Sequence, residues 1–207
     1  MAYGIEMPGH ESIADVFNRL AERYDSWYDR NAELFEREVI TIPPPTKPSL
    51  EVGCGSGRFM ERLGIDVGVD LSERLLKIAR SRGCEVLIAD GRLLPFRDDS
   101  FSSAYLIFTL CFLQNPESVL AEIRRVLRDD GVLTVCIVPR DSGLGMEYSS
   151  KNSPFYRIAR FYREREVEEM LIKAGFEVTG TERTRIRHSE NDFVCLSARL
   201  RGKGRPR

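Results

Sequence analysis

The chain has 207 residues, 42% of them hydrophobic, which suits one globular domain with a substantial core. Its 31 Lys and Arg residues nearly balance its 32 Asp and Glu residues, so no overall charge favours a nucleic-acid or membrane partner. No apolar run approaches the roughly 18 residues of a membrane span, and the polar, acidic N-terminus is unlike a targeting peptide, so we expect a cytoplasmic protein.

The N-terminal region predicts a helical cap. Apolar residues recur at helical spacing from Ile13 to Tyr28, and a second amphipathic helix is expected over residues 33–40. Two phenols, Tyr24 and Tyr28, lie at the end of the first helix. They either pack against the rest of the domain or face a ligand, and the pattern alone leaves both open.

A stiff connector completes this region, which we delimit as residues 1–47. Four prolines in residues 43–48 exclude a helix and favour an extended segment. The connector could mark a domain boundary, but about forty residues are too few for an independent core. We therefore expect a single domain over residues 1–207.

A glycine-rich turn follows the first predicted strand, residues 49–52. Gly53, Gly55 and Gly57 occupy alternate positions before a helix begins at Arg58. Glycines let the backbone bend tightly and approach a ligand, and amides at a helix N-terminus favour an anionic group. The spacing is G-x-G-x-G, not the G-x-G-x-x-G of NAD-dependent dehydrogenases, so NAD is the least favoured cofactor.

A second predicted strand, residues 67–70, ends on an acid. In doubly wound sheets a carboxylate at this strand tip accepts hydrogen bonds from ribose hydroxyls, which makes Asp70 a candidate for that role. Strands and helices then alternate, as in a parallel sheet covered on both faces. The predicted elements are a helix over 72–82, strands at 84–90 and 103–108, a helix over 115–130, a strand at 132–138, a helix around 167–174 and strands at 176–179 and 193–199.

A long polar segment, residues 139–160, follows the fifth predicted strand. A polar loop of this length is usually functional or disordered, and its position places it at the carboxyl edge of the sheet, where ligands bind. Gly143 and Gly145 would permit movement, so we interpret the segment as a substrate or lid loop. The basic residues 201–207 are expected to form a flexible tail.

Five cysteines are scattered along the chain: Cys54, Cys84, Cys111, Cys136 and Cys195. Their number is odd and no pair has C-x-x-C spacing. We expect reduced, mostly buried thiols and no metal site.

Several segments together resemble the class I S-adenosylmethionine-dependent methyltransferases, of the type 11-like group. The resemblance runs from about Leu50 to Val138. It rests on Glu51-x-Gly53-x-Gly55-x-Gly57, Gly68-Val69-Asp70, Asp90-Gly91-Arg92-Leu93-Leu94-Pro95-Phe96, Asp99-Ser100-Phe101 and Ile123-x-x-Val126-Leu127-x-x-x-Gly131-Val132-Leu133. Gly91 stands where the family has Ala, and Ser103 stands where it has Asp.

This resemblance implies an α/β fold that is Rossmann-like and doubly wound, with a seven-stranded, mostly parallel sheet whose last strand is antiparallel. It implies S-adenosylmethionine as cofactor and no metal, with Asp70 on the ribose, Leu71 and Asp90 near the adenine, and Phe108 under the methionine portion. A Y-D-x-x-Y-D element like the one at Tyr24 closes over the cofactor in many relatives. The cofactor-binding residues implied in this way are Tyr24, Glu51, Gly53, Cys54, Gly55, Asp70, Leu71, Asp90, Gly91, Arg92, Phe108 and Thr109.

The chemistry of such an enzyme needs mainly placement. The methyl group of a sulfonium is already activated, so the acceptor must be held in line with it and away from water. A general base is needed only where the acceptor must lose a proton. Our candidates are Tyr28, Asp141, Glu147 and Tyr148.

We expect a small-molecule acceptor with an N, O, S or C nucleophile, and a monomer or homodimer with no nucleic-acid partner. Two alternatives stay open. A methyltransferase acting on RNA or protein would need a basic face, for which Arg183, Arg185, Arg187 and the tail are the only hint. A domain that binds the cofactor without catalysis could serve as an interaction module.

Overall fold

The computed structural model describes residues 12–201 and contains a seven-stranded sheet with helices on both faces. The strand order is β3-β2-β1-β4-β5-β7-β6, and β7 runs antiparallel to both of its neighbours, whereas the pairs from β3 to β5 are parallel. The strands are β1 Ser49–Val52, β2 Val67–Asp70, β3 Glu85–Ile88, β4 Phe101–Ile107, β5 Leu127–Ile137, β6 Phe176–Thr184 and β7 Phe193–Leu200. The predicted α/β doubly wound fold is confirmed.

The helices begin and end at recognisable signals. Ser12 caps the first helix through its side chain, and Asn115 does the same for the sixth, with Pro116 in its first turn. The helices are α1 Ile13–Arg19, α2 Ala21–Arg30, α3 Ala32–Thr41, α4 Arg58–Leu63, α5 Glu73–Ser81, α6 Pro116–Val126, α7 Gly143–Ser150, α8 Pro154–Ile158 and α9 Glu164–Lys173, with a short 3-10 helix at Leu110–Phe112. The single helix predicted from Ile13 to Tyr28 is therefore two, because Leu20 leaves helical geometry at φ −112° and ψ 18°.

The prediction of a long loop after the fifth strand was wrong, since that segment contains α7 and α8. The Ser142 side chain caps α7 by accepting from the Gly145 amide at 3.0 Å. A Cβ at Gly145 would lie 1.9 Å from the Pro139 carbonyl oxygen, and one at Gly143 would lie 2.3 Å from His188 Cβ. These glycines therefore allow close packing of the helix, a different role from the mobility we expected.

The core has two parts, one on each face of the sheet. On one face α6 and α9 contribute Leu120, Ile123 and Leu171. On the other face α2, α3 and α4 contribute Tyr28, Phe35 and Phe59, which pack edge to face. The N-terminal helices are thus part of the fold, and the sheet presents its carboxyl edge beside them.

The cysteine prediction was wrong for one pair. Cys136 on β5 and Cys195 on β7 are directly opposite in the antiparallel register, with a Cα–Cα distance of 4.1 Å, and form a disulfide. Fifty-nine residues separate them in sequence, so only the strand pairing brings them together. Cys54, Cys84 and Cys111 are free thiols, as predicted.

Within residues 12–201, no helix is long and apolar enough to cross a membrane. The same residues contain no group of three or more His, Cys, Asp and Glu side chains placed to hold a metal ion. The start of the predicted N-terminal region, residues 1–11, and nearly all of the predicted basic tail, residues 202–207, lie outside the described residues.

Candidate functional site

The glycine turn lies at the carboxyl edge of the sheet, between β1 and α4. Gly53 has φ +77°, and its amide donates to the Val69 carbonyl at 2.8 Å, which ties the turn to β2. A Cβ at this position would lie 2.4 Å from Thr109 Cγ2. Only glycine therefore lets the turn pack against the segment that follows β4.

Asp70 at the tip of β2 holds the turn in place. One carboxylate oxygen accepts from the Gly55 amide at 2.9 Å, and the other accepts from the Ser72 amide at 2.7 Å. Burial raises the pKa of Asp70, and these backbone hydrogen bonds oppose the shift without cancelling it. The carboxylate links the glycine turn to the N-terminus of α5, whose cap is Ser72.

Beside this turn lies a cavity of about 300 Å³, which we name the glycine-turn cavity. Ten of the predicted cofactor-binding residues line it: Tyr24, Gly53, Gly55, Asp70, Leu71, Asp90, Gly91, Arg92, Phe108 and Thr109. Leu71 is half exposed there, and Arg92 binds the Asp90 carboxylate through Nε at 3.0 Å. Most of the residues selected from the sequence pattern therefore line one concave surface.

Glu51 and Cys54 do not belong to that lining. Both are buried, and a Cβ on Gly68 would lie 2.7 Å from the Cys54 sulfur, so this thiol packs against β2. Glu51 Oε2 has no hydrogen-bond partner among the described residues, and burial raises the pKa of Glu51 well above its ordinary value. Their predicted contact with a cofactor remains a prediction.

A second cavity, of about 350 Å³, lies next to the first and is mostly aromatic; we name it the aromatic cavity. Four rings line both cavities and form their common wall: Phe17, Tyr24, Phe108 and Phe112. Phe108 has φ +55°, an uncommon backbone conformation for a residue with a side chain. Strained backbone of this kind recurs where a fold positions groups for function.

The other walls of the aromatic cavity come from α2, α7 and α8. Trp27 and Tyr28 lie on α2, and the Tyr24 and Tyr28 hydroxyls are 3.1 Å apart. Tyr148 on α7 stacks on Tyr156 of α8 with ring centroids 4.4 Å apart. The N-terminal cap and the segment predicted as a loop therefore meet around one space.

The structure separates the four predicted general bases into two groups. Tyr28 and Tyr148 line the aromatic cavity. Asp141 is exposed and lies 3.7 Å from the Arg163 guanidinium. Glu147 bonds His188 Nε2 at 2.6 Å and also pairs with Lys151, contacts that lower its pKa. Neither carboxylate is part of the lining of either cavity.

The two acids of the Y-D-x-x-Y-D element anchor α2 from its opposite side. Asp25 accepts from Arg58 Nε at 2.9 Å and from Arg82 at 2.8 Å, and Asp29 pairs with Arg58 at 2.7 Å. Burial alone would raise the pKa of Asp25, but hydrogen bonds from Arg58, Ser56 and Arg82 lower it to about 2. The acids thus fix the helix while its tyrosines face the cavities.

Sequence reasoning missed Glu38 altogether. It lies on α3, is only 4% exposed, and lines the aromatic cavity. Its Oε2 atom has no hydrogen-bond partner among residues 12–201, and burial raises its pKa to about 8. The one available signal was an acid placed three residues after Phe35 and next to Val39, on the apolar side of an amphipathic helix.

Comparisons with known proteins indicate the family to which this chain belongs. A family profile described as a methyltransferase domain matches residues 50–135. An uncharacterised protein of Methanocaldococcus jannaschii is 36% identical over 201 residues, covering 89% of this chain and 98% of that protein. A crystal structure from Thermotoga maritima, described as a SAM-dependent methyltransferase and possible histamine N-methyltransferase, is 34% identical with a TM-score of 0.81, covering 89% of this chain and 98% of its own. The demethylmenaquinone methyltransferase of Tropheryma whipplei is 36% identical over 164 residues, covering 70% of this chain and 64% of that enzyme.

Proposed function

We propose that this chain, which belongs to the S-adenosylmethionine-dependent methyltransferases, transfers a methyl group to a small molecule bound in the aromatic cavity. The observation that carries the proposal is the common wall of the two cavities, formed by Phe17, Tyr24, Phe108 and Phe112. A cofactor in one cavity and an acceptor in the other would meet at this wall. The small acceptors in the names of two relatives, histamine and demethylmenaquinone, support the same class.

S-adenosylmethionine, the cofactor of this family, fits the glycine-turn cavity. The turn has no side chains at Gly53 and Gly55, the Asp70 carboxylate can accept from the ribose hydroxyls, and half-exposed Leu71 offers an apolar face to the adenine. The unpartnered Glu51 Oε2 is an acceptor without a donor among the described residues. The contact between Asp70 and the ribose can be tested by a single substitution.

The bound cofactor would supply an activated methyl group, and the chain would orient the acceptor and exclude water. The aromatic side chains of α2, α7 and α8 would exclude water and hold the acceptor against the common wall. Tyr28 and Tyr148 are weaker candidates for the general base than the sequence suggested. Burial raises the pKa of both phenols, which disfavours the phenolate that would accept a proton. Each is better suited to orient an acceptor by donating a hydrogen bond.

A nucleic-acid acceptor finds little support on the predicted basic face. The three arginines at positions 183, 185 and 187 each have an acidic partner: Arg183 pairs with Glu164, Arg185 with Glu190 at 2.7 Å, and Arg187 with Glu147 at 3.4 Å. Residues 202–207 of the tail lie outside the described residues. Paired arginines offer little net charge to phosphates. We therefore favour the small-molecule acceptor over the macromolecular one.

The experiment that tests this proposal follows the label from methyl-labelled S-adenosylmethionine. The purified protein is incubated separately with the dialysate of a cell extract, which contains its small molecules, with total RNA and with a dialysed protein extract. We expect enzyme-dependent label in molecules that pass a dialysis membrane. Label retained in the RNA or protein fraction, with none in small molecules, would contradict the proposed acceptor class.

A paired variant localises the acceptor. Tyr148→Ala should lower turnover at least about tenfold, because a ring that lines only the aromatic cavity is lost, while affinity for S-adenosylhomocysteine stays within a few-fold of the wild type. The control is Met146→Ala on the same helix, where the side chain is 60% exposed. Equal turnover in both variants would remove α7 from the acceptor site.

A further inference from the structure

Glu38 is the feature of the aromatic cavity that the proposed function leaves unexplained. Carboxylic acids are rarely buried without a partner, because desolvation of the charged form is costly. Glu38 is 4% exposed, and no described residue hydrogen-bonds its Oε2 atom. Folding would gain nothing from this acid, since an apolar side chain would pack in its place at lower cost.

The described residues around Glu38 are mainly phenols and aromatic rings. Burial is the main reason that the pKa of each nearby phenol is raised, and the Glu38 charge adds to the shift in Tyr24, Tyr28, Tyr148 and Tyr156. The cations at the cavity wall lie at its exposed rim: Arg23, Arg30 and Lys151. Lys151 pairs with Glu147, and burial is the only cause that shifts the Glu38 pKa.

A buried carboxylate in a cavity lined by aromatic rings suits a particular class of ligand. Faces of Trp and Tyr attract a cation, and a buried carboxylate gives that cation a charged acceptor. A neutral alcohol or thiol would gain far less from ionised Glu38. Trp27, Tyr28 and Tyr148 are among the rings that line the same cavity. Lys151 Nζ lies 5.5 Å from the centroid of the Tyr148 ring, so a cation already contacts this wall.

We propose that the acceptor is an amine on an aromatic or apolar body, with Glu38 as the counterion of its protonated nitrogen and the acceptor of its proton. This inference rests on the proposed function and names the substrate class of the same site. Tyr24 lines both cavities, so a nitrogen held near Glu38 and Tyr24 approaches the common wall.

The proton balance of the transfer follows from this placement. The ammonium gives one proton to the Glu38 carboxylate: an N–H bond breaks, an O–H bond forms, and the nitrogen regains its lone pair. That lone pair forms the new N–CH3 bond while the S–CH3 bond breaks and its electron pair stays on sulfur. The positive charge of the sulfonium thereby passes to the methylated amine. Glu38 is left protonated, its resting state at pH 7, because its own proton went to solvent when the ammonium bound.

The test compares ligands that differ in one group. Phenethylamine, tyramine and histamine are titrated into the protein saturated with S-adenosylhomocysteine, each against the alcohol of the same skeleton. We expect at least one amine to bind about tenfold or more tighter than its alcohol. Calorimetry at pH 7 in phosphate and in Tris should show release of up to about one proton, because protonated Glu38 ionises beside the ammonium.

Matched variants separate recognition from folding. Glu38→Gln should abolish the preference for the amine and the proton release, and leave alcohol binding unchanged. Glu36 lies on the same helix as Glu38, is partly exposed and pairs with Arg62 of α4. Glu36→Gln should therefore keep both the preference for the amine and the proton release. If Glu38→Gln does not fold, the pH dependence of the wild type provides the test. Proton release on amine binding must vanish as the pH rises above the Glu38 pKa of about 8.

Three results would overturn the inference: no amine binds better than its alcohol, amine binding releases no proton at pH 7, or Glu38→Gln retains the preference. Titration of S-adenosylhomocysteine alone precedes these measurements. Its failure would contradict the cofactor assignment, and the amines would then be titrated without it, because Glu38 lines the aromatic cavity only. The two proposals therefore fail in distinguishable ways.

Discussion

The proposed cofactor site can be tested at one side chain, that of Asp70. If its carboxylate accepts from ribose hydroxyls, Asp70→Ala loses charge-assisted hydrogen bonds of about 1.5–3 kcal/mol each, and S-adenosylhomocysteine should bind at least about tenfold more weakly. Asp66→Ala is the matched control, since Asp66 accepts from the Ser49 amide at 2.9 Å beyond the other end of β2. Calorimetry measures both affinities. Unchanged binding by a folded Asp70→Ala protein would show that the ribose lies elsewhere.

Burial of Glu38 should make the free energy of unfolding depend on pH. Its pKa is raised from 4.5 to about 8 by burial, so the folded state binds its proton more tightly than the unfolded state does. The stability it contributes is therefore complete below pH 4.5 and is lost as the pH rises to about 8. Relative to the wild type, Glu38→Gln should gain stability across this window, by at most about 1.4 kcal/mol per pH unit.

Urea unfolding of both proteins at several pH values measures that difference. Both proteins share the other titratable and charged groups of the cavity and of the elements packed against α3. At the cavity these groups are Tyr24, Tyr28, Tyr148, Tyr156, Tyr162, Arg23, Arg30 and Lys151. On the elements packed against α3 they include Arg62 of α4, which pairs with Glu36, and Arg183 of β6, which pairs with Glu164. Glu51 and Asp70 also have raised pKa values and act in the same direction in both. A difference between the two proteins that does not change with pH would mean that Glu38 is not buried as a titrating acid.

Local patterns predicted Gly53 and Asp70 because their roles follow from neighbours in sequence: a glycine where φ is positive, and an acid where a strand ends. Glu38 could not be predicted in this way. Its cavity forms only when α2, α7 and α8 come together around α3, and no local signal encodes that meeting. Glu51 and Cys54 show the reverse case, since a matching motif did not reveal that both are buried and are not among the residues that line the cavity.

At the level of elements, α2 links the two cavities to the rest of the fold through Asp25. Asp25→Asn removes the charge between Arg58 and Arg82, whose side chains are 16% exposed, and should cost about 1.5–3 kcal/mol of unfolding free energy. Asp29→Asn is the control, because that carboxylate is 62% exposed and its loss should cost much less than that of Asp25. Denaturant titration of both variants gives the comparison. Equal losses would mean that exposed and buried partners of Arg58 act alike.

The segment after β5 illustrates why an element can be missed. Its Ser and Gly content is typical of a loop, yet α7 forms because Ser142 caps it and Leu144 is buried in the core. The Leu144 amide donates to the Asp192 carboxylate at 3.0 Å, a partner 48 residues away. Tertiary contacts of this kind override composition, and they were not visible in the segment itself.

For the whole molecule, the alternation of strands and helices along the chain was enough to predict the sheet and its parallel part. The antiparallel β7 came from the family resemblance, because periodicity does not fix the direction of a strand. Strand direction and register also decide the pairing of Cys136 with Cys195, which composition and spacing had argued against. Topology therefore followed from pattern and resemblance, whereas cross-strand chemistry required the register.

The cavities join parts of the chain that are distant in sequence, so a ligand should stabilise the molecule as a whole. Phe17 and Tyr24 of the N-terminal helices and Gly53, Asp70 and Phe108 of the sheet edge all line the glycine-turn cavity. A ligand that binds only this folded arrangement adds about 2.7 kcal/mol at a hundred times its dissociation constant. For a chain of this size that corresponds to a rise in melting temperature of about 5–11 °C. We expect this shift with S-adenosylhomocysteine, a smaller one in Asp70→Ala at the same concentration, and none with NAD. Thermal unfolding followed by circular dichroism measures all three melting temperatures. A shift with NAD but not with S-adenosylhomocysteine would contradict our interpretation of the G-x-G-x-G spacing, on which the cofactor assignment depends.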